Sequence, residues 1–162
     1  MMLGLFGVIA SSGAAGGPVG VAGYFAGGYN TSFAKQSTVD KFAFPGDGRS
    51  TLGTGLSAIR VSLAGMANSG VAGYFGGGYY YQATVDKFAF PGDGRSTLGT
   101  GLSSSRIALA GMANVAVAGY FGGGNTTSAR VATVDKFAFP GDGRSTLGTG
   151  LSAGFYAPGA MA

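Results

Sequence analysis

Four residue types are missing from this chain of 162 residues: cysteine, histidine, tryptophan and glutamate. Without cysteine and histidine, the sequence excludes a disulfide, a Ser-His-Asp triad, a cysteine nucleophile and a zinc site of the usual ligand types. The acids that remain are two sets of aspartates at repeated positions: Asp40, Asp86 and Asp135, and Asp47, Asp93 and Asp142. Acid–base catalysis by two carboxylates needs different pKa values for the two groups. Equivalent positions in a repeat have similar surroundings, so such a pair is hard to build from them. We therefore expect no enzyme, no catalytic residue, no metal site and no cofactor.

Charged residues are also scarce, at 10% of the chain against 46% hydrophobic and 12% aromatic residues. The 34 glycines would by themselves suggest disorder. A chain with so many apolar and so few charged residues is nevertheless expected to fold. The net charge of +4 comes from four scattered basic residues: Lys35, Arg60, Arg106 and Arg130. No basic run marks a nucleic-acid surface, so we expect no nucleic-acid partner, and we interpret these charges as solvated surface with one or two structural arginines.

A long apolar run is absent as well. The N-terminal segment is interrupted by small residues and proline: Gly4, Gly7, Ser11, Ser12, Gly13 and Pro18. A membrane-spanning helix needs ~20 consecutive apolar residues, so we predict no membrane span. The favoured interpretation of the segment is an irregular strand and loop that pack on the first repeat. A cleaved signal peptide is the alternative, although the basic start that such peptides have is missing.

What the sequence does contain is one segment of twenty residues in three identical copies. TVDKFAFPGDGRSTLGTGLS occupies residues 38–57, 84–103 and 133–152, and its first aspartates are 46 and 49 residues apart. Identical copies indicate one supersecondary unit built three times, whose apolar face is buried by its neighbours. We divide the chain into an apolar, glycine-rich segment at 1–20, tandem β repeats at about 21–60, 61–106 and 107–152, and a partial fourth repeat at 153–162.

The third repeat illustrates the strands that the pattern predicts. Four short strands are expected in it, at residues 107–113, 117–121, 133–139 and 146–151. Side chains alternate along a strand, so Phe137 and Phe139 share a face toward the adjacent repeat, while Lys136 is directed to water. Residues 140–143 read Pro-Gly-Asp-Gly, which is typical of a tight turn. No segment is typical of a helix.

This order of features resembles the blade of a Kelch-type β-propeller. An arginine precedes an apolar strand at Arg60 and Arg106, and small residues with glycine follow Gly-Tyr-Phe at 26–28, 76–78 and 122–124. An aromatic residue lies in the third strand of each repeat: Phe42, Phe88 and Phe137. The resemblance implies an all-β fold of about three four-stranded antiparallel blades, open or closed by oligomerisation. Two departures are the missing late tryptophan and the unusual likeness of the repeats. A β-solenoid stack is the alternative architecture.

The repeated turn contains the first candidate site. Gly46-Asp47-Gly48-Arg49 has the wrong glycine spacing for a phosphate-binding loop and is not followed by a helix. We interpret it as a hairpin turn in which the aspartate bonds its own backbone and pairs with the arginine. The alternative is a ring of arginines that binds an anion or a sugar: Arg49, Arg95 and Arg144.

The loops after the glycines form the second candidate site, because they differ in length and sequence between repeats. The second loop carries three consecutive tyrosines, Tyr79, Tyr80 and Tyr81. Tyrosine offers a large contact area at a low entropic cost, so we name these residues as candidates for binding a glycan or a protein. The competing interpretation is ordinary packing of the tyrosines against the next repeat.

Two functions follow from these observations. The first is a non-enzymatic structural or assembly protein, since three repeats leave two ends uncovered and favour a homo-oligomer or a larger protein assembly. The glycine-rich repeats also resemble those of bacteriophage tail and fibre proteins, which implies a virion or extracellular surface component. The second is a binding module for a glycan or another cell-surface ligand, with the variable loops as its site.

Overall fold

A computed structural model describes residues 7–9 and 22–162. These residues form twelve β-strands and no helix, which confirms the predicted all-β fold. None of them therefore belongs to a helix that is long and apolar enough to cross a membrane. The expectations for the remaining residues of the N-terminal segment, including the signal peptide, lie outside the described residues.

The strands form three four-stranded sheets, and neighbouring strands are antiparallel in each. The first sheet contains β1 (Gly7–Ile9), β2 (Ala22–Ala26), β3 (Val39–Ala43) and β4 (Gly48–Thr51). The second contains β5 (Ala64–Asn68), β6 (Ala72–Gly76), β7 (Val85–Ala89) and β8 (Gly94–Thr97). The third contains β9 (Ala110–Asn114), β10 (Ala118–Gly122), β11 (Val134–Ala138) and β12 (Gly143–Thr146). Each sheet is thus a meander of sequential hairpins.

One predicted strand is misplaced. The fourth strand of the third repeat was expected at residues 146–151, but β12 spans Gly143–Thr146. The turn at 139–142 is so tight that Gly143 already lies opposite Ala138, and the ladder therefore begins there. At the other end of the chain, Ile9 pairs with Tyr24, so part of the N-terminal segment supplies a strand to the first sheet.

Every sheet has two different faces, because side chains alternate along its strands. The face that carries Tyr24 and Lys41 in the first sheet is called the Tyr face, and the face that carries Phe25, Asp40 and Phe42 is called the Phe face. The same registers define the Tyr faces of the second and third sheets, by Tyr74 with Lys87 and by Tyr120 with Lys136. Their Phe faces carry Phe75, Asp86 and Phe88, and Phe121, Asp135 and Phe137.

The sheets stack with a Tyr face against a Phe face. The ring of Tyr24 stacks on Phe90 at 5.0 Å between centroids, and Tyr74 stacks on Phe139 at 5.4 Å. The two hydrophobic cores lie between the first and second sheets and between the second and third. Phe137 and Phe139 are 0% and 9% exposed, which confirms their predicted burial, whereas Phe44 of the first copy is 46% exposed. The repeat is therefore the unit of the core, and no sheet buries its faces alone.

The first strand of each sheet lies beside the first strand of the next, β1 beside β5 and β5 beside β9. Just before these strands, the Ala108 N–H donates to the Ser62 carbonyl and the Ala157 N–H to the Ala108 carbonyl, each at 2.8 Å. The C-terminal tail after Ser152 thus follows the path that starts the second and third sheets, although residues 147–162 contain no strand.

Candidate functional site

In the second and third copies of the repeated turn, the aspartate binds the preceding sheet. The Tyr24 hydroxyl donates to Asp93 Oδ1 at 2.7 Å, and Lys41 Nζ donates to Asp93 Oδ2 at 2.6 Å. Asp93 adopts a positive φ of 57°, which directs its side chain out of the turn. Burial, together with the bond to Asp93, raises the pKa of Tyr24. The second turn therefore joins two sheets through one carboxylate.

The second interface repeats this arrangement with different copies of the same residues. The Tyr74 hydroxyl donates to Asp142 Oδ1 at 2.8 Å, and Lys87 Nζ donates to Asp142 Oδ2 at 2.6 Å. This corrects the expectation that the turn aspartate pairs with the arginine of its own turn. Lys41 and Lys87, the equivalents of Lys136, bind an aspartate of the next sheet, whereas the sequence predicted that Lys136 is directed to water. The partners are residues of the preceding repeat, which one repeat by itself cannot reveal.

The other set of aspartates holds two buried arginines. Arg60 forms an ion pair with Asp86, and both side chains are fully buried. The Arg60 guanidinium also donates to the carbonyls of Gly77 and Thr84 at 3.2 and 3.1 Å. Burial lowers the pKa of Arg60, while the carboxylate of Asp86 opposes this shift. Arg60 precedes the second sheet and therefore ties its first strand to the end of β6 and the start of β7.

Arg106 takes the same place before the third sheet. It pairs with Asp135, and both side chains are again fully buried. Its guanidinium donates to the carbonyls of Gly123 and Thr133 at 3.0 and 2.9 Å. The sequence predicted one or two structural arginines among four scattered basic residues, and Arg60 and Arg106 are arginines of this kind. Both lie three residues after the end of a copy of the repeated segment, which distinguishes them from Lys35 and Arg130.

The three candidate arginines of the turn lie on the outer strands of three different sheets. Each points to an aspartate on the neighbouring strand of its own sheet: Arg49 to Asp40 at 3.3 Å, Arg95 to Asp86 at 3.8 Å and Arg144 to Asp135 at 3.7 Å. Each also donates to a threonine on the same strand, at 3.1 to 3.2 Å. No contact among the described residues joins two of these arginines.

The three candidate tyrosines are shared between neighbouring loops. Lys35, in the loop of the first repeat, lies 4.3 Å from the Tyr79 ring centroid and 4.1 Å from that of Tyr80. It also donates to the Tyr80 hydroxyl at 2.7 Å, and this bond raises the pKa of Lys35. Tyr81 accepts a long bond of 3.4 Å from Asn125, in the loop of the third repeat. Tyr80 remains 60% exposed and is the tyrosine most available to a ligand.

Most of the aspartates of the described residues contact other residues of the protein. Among residues 7–9 and 22–162, no group of three or more acidic side chains lies close enough to hold a metal ion. Four of the six aspartates accept hydrogen bonds that join neighbouring repeats: Asp86, Asp93, Asp135 and Asp142. Asp40 pairs with Arg49 within the first sheet, and Asp47 is exposed.

The outer faces of the stack differ from the inner ones. On the Phe face of the first sheet, Phe25 is 40% and Phe44 46% exposed, whereas Phe75 and Phe121 are at most 1% exposed. On the Tyr face of the third sheet, Met112 is 39% exposed, against 3% for Met66 in the second sheet. A cavity of about 280 Å³ lies between this face and the C-terminal tail.

Comparison with known proteins gives a likeness of fold. No protein-family model and no curated protein matches the chain. A solved structure of the protein YjhT is similar to it, with a TM-score of 0.68 and 13% sequence identity. The match covers 84% of this chain and 52% of YjhT, so the chain spans about half the length of that structure. At this identity, the likeness concerns the fold alone.

Proposed function

We propose that this chain is a non-enzymatic structural or assembly protein whose sheets are blades of a Kelch-like β-propeller. Three observations support the blade architecture: the four-stranded meanders, the adjacent first strands, and the stacking of one Tyr face on one Phe face. A closed propeller has 4 to 8 blades, so three blades of this kind close a ring only with further blades. A homo-oligomer or a larger protein assembly supplies them.

The non-enzymatic role is supported by how the carboxylates are used. Asp93 and Asp142 hold a tyrosine and a lysine of the preceding sheet, and Asp86 and Asp135 hold buried arginines. A general acid or base has to reach a substrate and change its protonation state. These carboxylates are occupied by cations of the protein itself, so we assign them a contribution to stability and geometry.

The single observation that carries the assembly role is the pair of exposed outer faces. Both have the composition of the buried interfaces, with exposed Phe25 and Phe44 at one end and exposed Met112 at the other. Large exposed apolar patches mark interaction sites on soluble proteins. We place the assembly in a virion, as a fibre, tail or surface component, on the resemblance of the glycine-rich repeats to those of bacteriophage tail and fibre proteins.

Negative-stain electron microscopy of the purified chain tests the assembly role. Rings, rosettes or fibres built from several copies are the expected result, because each copy exposes two apolar ends. Uniform particles of the size of one chain would contradict it. Adding salt is expected to weaken the assemblies only partly, since the apolar contacts are not screened.

The second candidate function is the binding of a glycan or a protein by the variable loops. The observation that favours it is Tyr80, which is 60% exposed beside the Lys35 ammonium on a surface shared by neighbouring loops. Screening on a glycan array, with Tyr80→Ala as the test variant, measures this activity. Tyr156→Ala is the matched control, because Tyr156 is 46% exposed on the C-terminal tail, outside the variable loops. Binding that is lost in Tyr80→Ala and kept in Tyr156→Ala would support the module, and an array without signal would remove it.

A further inference from the structure

We propose that the Tyr face of the third sheet binds the Phe face of the first sheet of a second copy of this chain. The proposal rests on the assembly role and names the surfaces that would perform it. The protein forms a Tyr-to-Phe interface twice within one chain, with the same residue types in the same registers. One copy presents both halves of that interface at its two ends, and among residues 7–9 and 22–162 each half lacks a counterpart.

The apolar half of the interface is complementary. Within the chain, the rings of Phe88 and Phe137 are at most 1% exposed because a Tyr face covers them. Their counterpart Phe42 is only partly buried, and the neighbouring Phe44 is 46% exposed. Across the interface, a second copy would cover Met112 as the third sheet covers Met66, which is 3% exposed. The association therefore buries outer side chains whose equivalents in the interior interfaces are already buried.

The polar half is complementary in charge and geometry. Tyr120 and Lys136 correspond to Tyr74 and Lys87, which donate to Asp142 of the next sheet. The counterpart of Asp142 in the first sheet is Asp47, which is exposed and has a φ of 54° against 56° for Asp142. The acceptor of one copy is thus already in the conformation that the donors of the other copy require. Charge complementarity of this kind sets register and specificity at an interface.

A second polar contact belongs to the same interface. Ser57 and Ser103 end the first two copies of the repeated segment, and the N–H and hydroxyl of each donate to the buried aspartate of the next sheet at 2.9 to 3.0 Å. Ser152 is their exposed counterpart, and it would donate to Asp40 of the second copy. Both ends of the contact are therefore present on the outer faces.

One interior contact is not available between copies. The Gly28 and Gly78 N–H groups donate to the carbonyls of Arg60 and Arg106, and the corresponding donor Gly124 bonds the Phe155 carbonyl at 2.8 Å. Phe155 thus occupies the position that a buried arginine has in the second and third repeats. Asp40 pairs with the exposed Arg49. We therefore expect the interface between copies to be weaker than the interior ones and to dissociate on dilution.

The C-terminal tail lies on part of the proposed surface. Pro158 and Met161 line the cavity together with Met112 and Tyr120. The last backbone hydrogen bond of the tail in the described part of the chain is that of Ala157. Displacing residues 158–162 therefore costs apolar contacts alone, and the first strand and Phe face of the second copy replace them with contacts of the same kind.

Because the interface joins opposite ends, it is heterologous, and successive copies form a closed ring or a filament according to the rotation between them. This geometry permits a charge-swap test with Lys136→Glu and Asp47→Lys. Each variant alone places like charges together at every contact. In an equimolar mixture, the Tyr face changed by Lys136→Glu meets the Phe face changed by Asp47→Lys with opposite charges, and the remaining contact is the native pair. The double variant in a single chain restores the pairing in the same way.

The experiment measures the molar mass by light scattering across a concentration series. We expect each single variant to raise the dissociation constant at least tenfold relative to the natural chain, and the mixture and the double variant to recover most of the association. Arg130→Glu is the matched control, because it makes the same change of charge as Lys136→Glu on an exposed loop and should leave the association unchanged. Circular dichroism checks that all variants keep the β-sheet spectrum.

Three results would overturn the proposal in different ways. If the natural chain assembles but both single variants assemble equally well, the pairing of these faces is wrong while the assembly role stands. If the natural chain has the mass of one copy at every concentration, self-association itself is refuted. A mixture that fails to recover association, although both single variants lost it, would also contradict the pairing.

Discussion

At the scale of single residues, the fold depends on charges that are buried in pairs between parts of the chain distant in sequence. Asp135 is fully buried and accepts bonds from Arg106, Ser103 and Thr146. A buried carboxylate with several donors is tolerated, whereas one that loses its cation is costly. An arginine in an exposed ion pair contributes little to stability. Arg106, which is buried, should therefore stabilise the fold much more than Arg49, which is exposed.

The first prediction compares these two arginines. Arg106→Met removes the cation and leaves the Asp135 carboxylate buried, so we expect a loss of about 3–5 kcal/mol in the free energy of unfolding. Arg49→Met breaks an ion pair whose side chains are 58% and 34% exposed, and should cost less than about 1 kcal/mol. Urea unfolding of the two variants measures the difference. Equal losses would show that burial does not decide the strength of these pairs.

The second prediction concerns pH. Burial and the bond to Asp142 raise the pKa of Tyr74 above the ordinary value of 10.0. Because the folded state holds this proton more tightly than the unfolded chain, the stability from this group is complete below about pH 10 and is lost as the pH rises beyond it. Tyr74→Phe should therefore be less stable by about 1–3 kcal/mol near neutral pH, and the deficit should shrink above about pH 10.

Urea unfolding at about pH 8 and about pH 11 measures that change. Tyr120→Phe is the matched control, because no aspartate among the described residues accepts from the Tyr120 hydroxyl in a single chain. It should alter the stability of the dissociated chain little at either pH. A deficit of Tyr74→Phe that stays constant with pH would contradict the assignment of the bond.

At the scale of elements, the glycines after each second strand allow the chain to pass close to the next repeat. Gly77 has a φ of +68°, and a Cβ atom there would lie 2.7 Å from both the Arg106 carbonyl oxygen and Leu109 Cδ2. Only glycine adopts this conformation and permits this approach without strain. The glycine run that follows Gly-Tyr-Phe is therefore a requirement of the junction between sheets.

The third prediction follows from this junction. Gly77→Ala should lower the free energy of unfolding by at least about 1–3 kcal/mol, because it adds both an unfavourable φ and a steric clash. Gly92→Ala is the control, since a Cβ atom there meets nothing within 4 Å, and we expect it to be nearly neutral. Thermal unfolding of the two variants measures the contrast. A neutral Gly77→Ala would refute the steric account of the glycine run.

Much of this element structure could be predicted from the sequence, because strand alternation and turn residues act locally. The buried face of Phe137 and the tight turn before Gly143 belong to this class. The partner of Asp93 could not be predicted, since Tyr24 is 69 residues away in sequence and charges also balance within one repeat. The partners of the candidate arginines could not be predicted for a related reason, because each arginine lies near an aspartate on the neighbouring strand of its own sheet.

At the scale of the whole molecule, one type of contact organises the chain. A Tyr face packs against a Phe face twice, and the two outer faces carry the same residue types with no counterpart in the part of the chain that the structure describes. The repeated segment is therefore a scaffold, and what distinguishes this protein lies at the two outer faces and in the loops around Tyr80.

The most direct test of this view is the molar mass of the natural chain in solution, measured by light scattering over a wide range of concentrations. One copy has a mass of 15.9 kDa. We predict a mass that rises with concentration to at least that of two copies, since we propose that the outer faces bind each other through the same residue types as the inner ones. A mass of 15.9 kDa that stays constant over the whole range would contradict it.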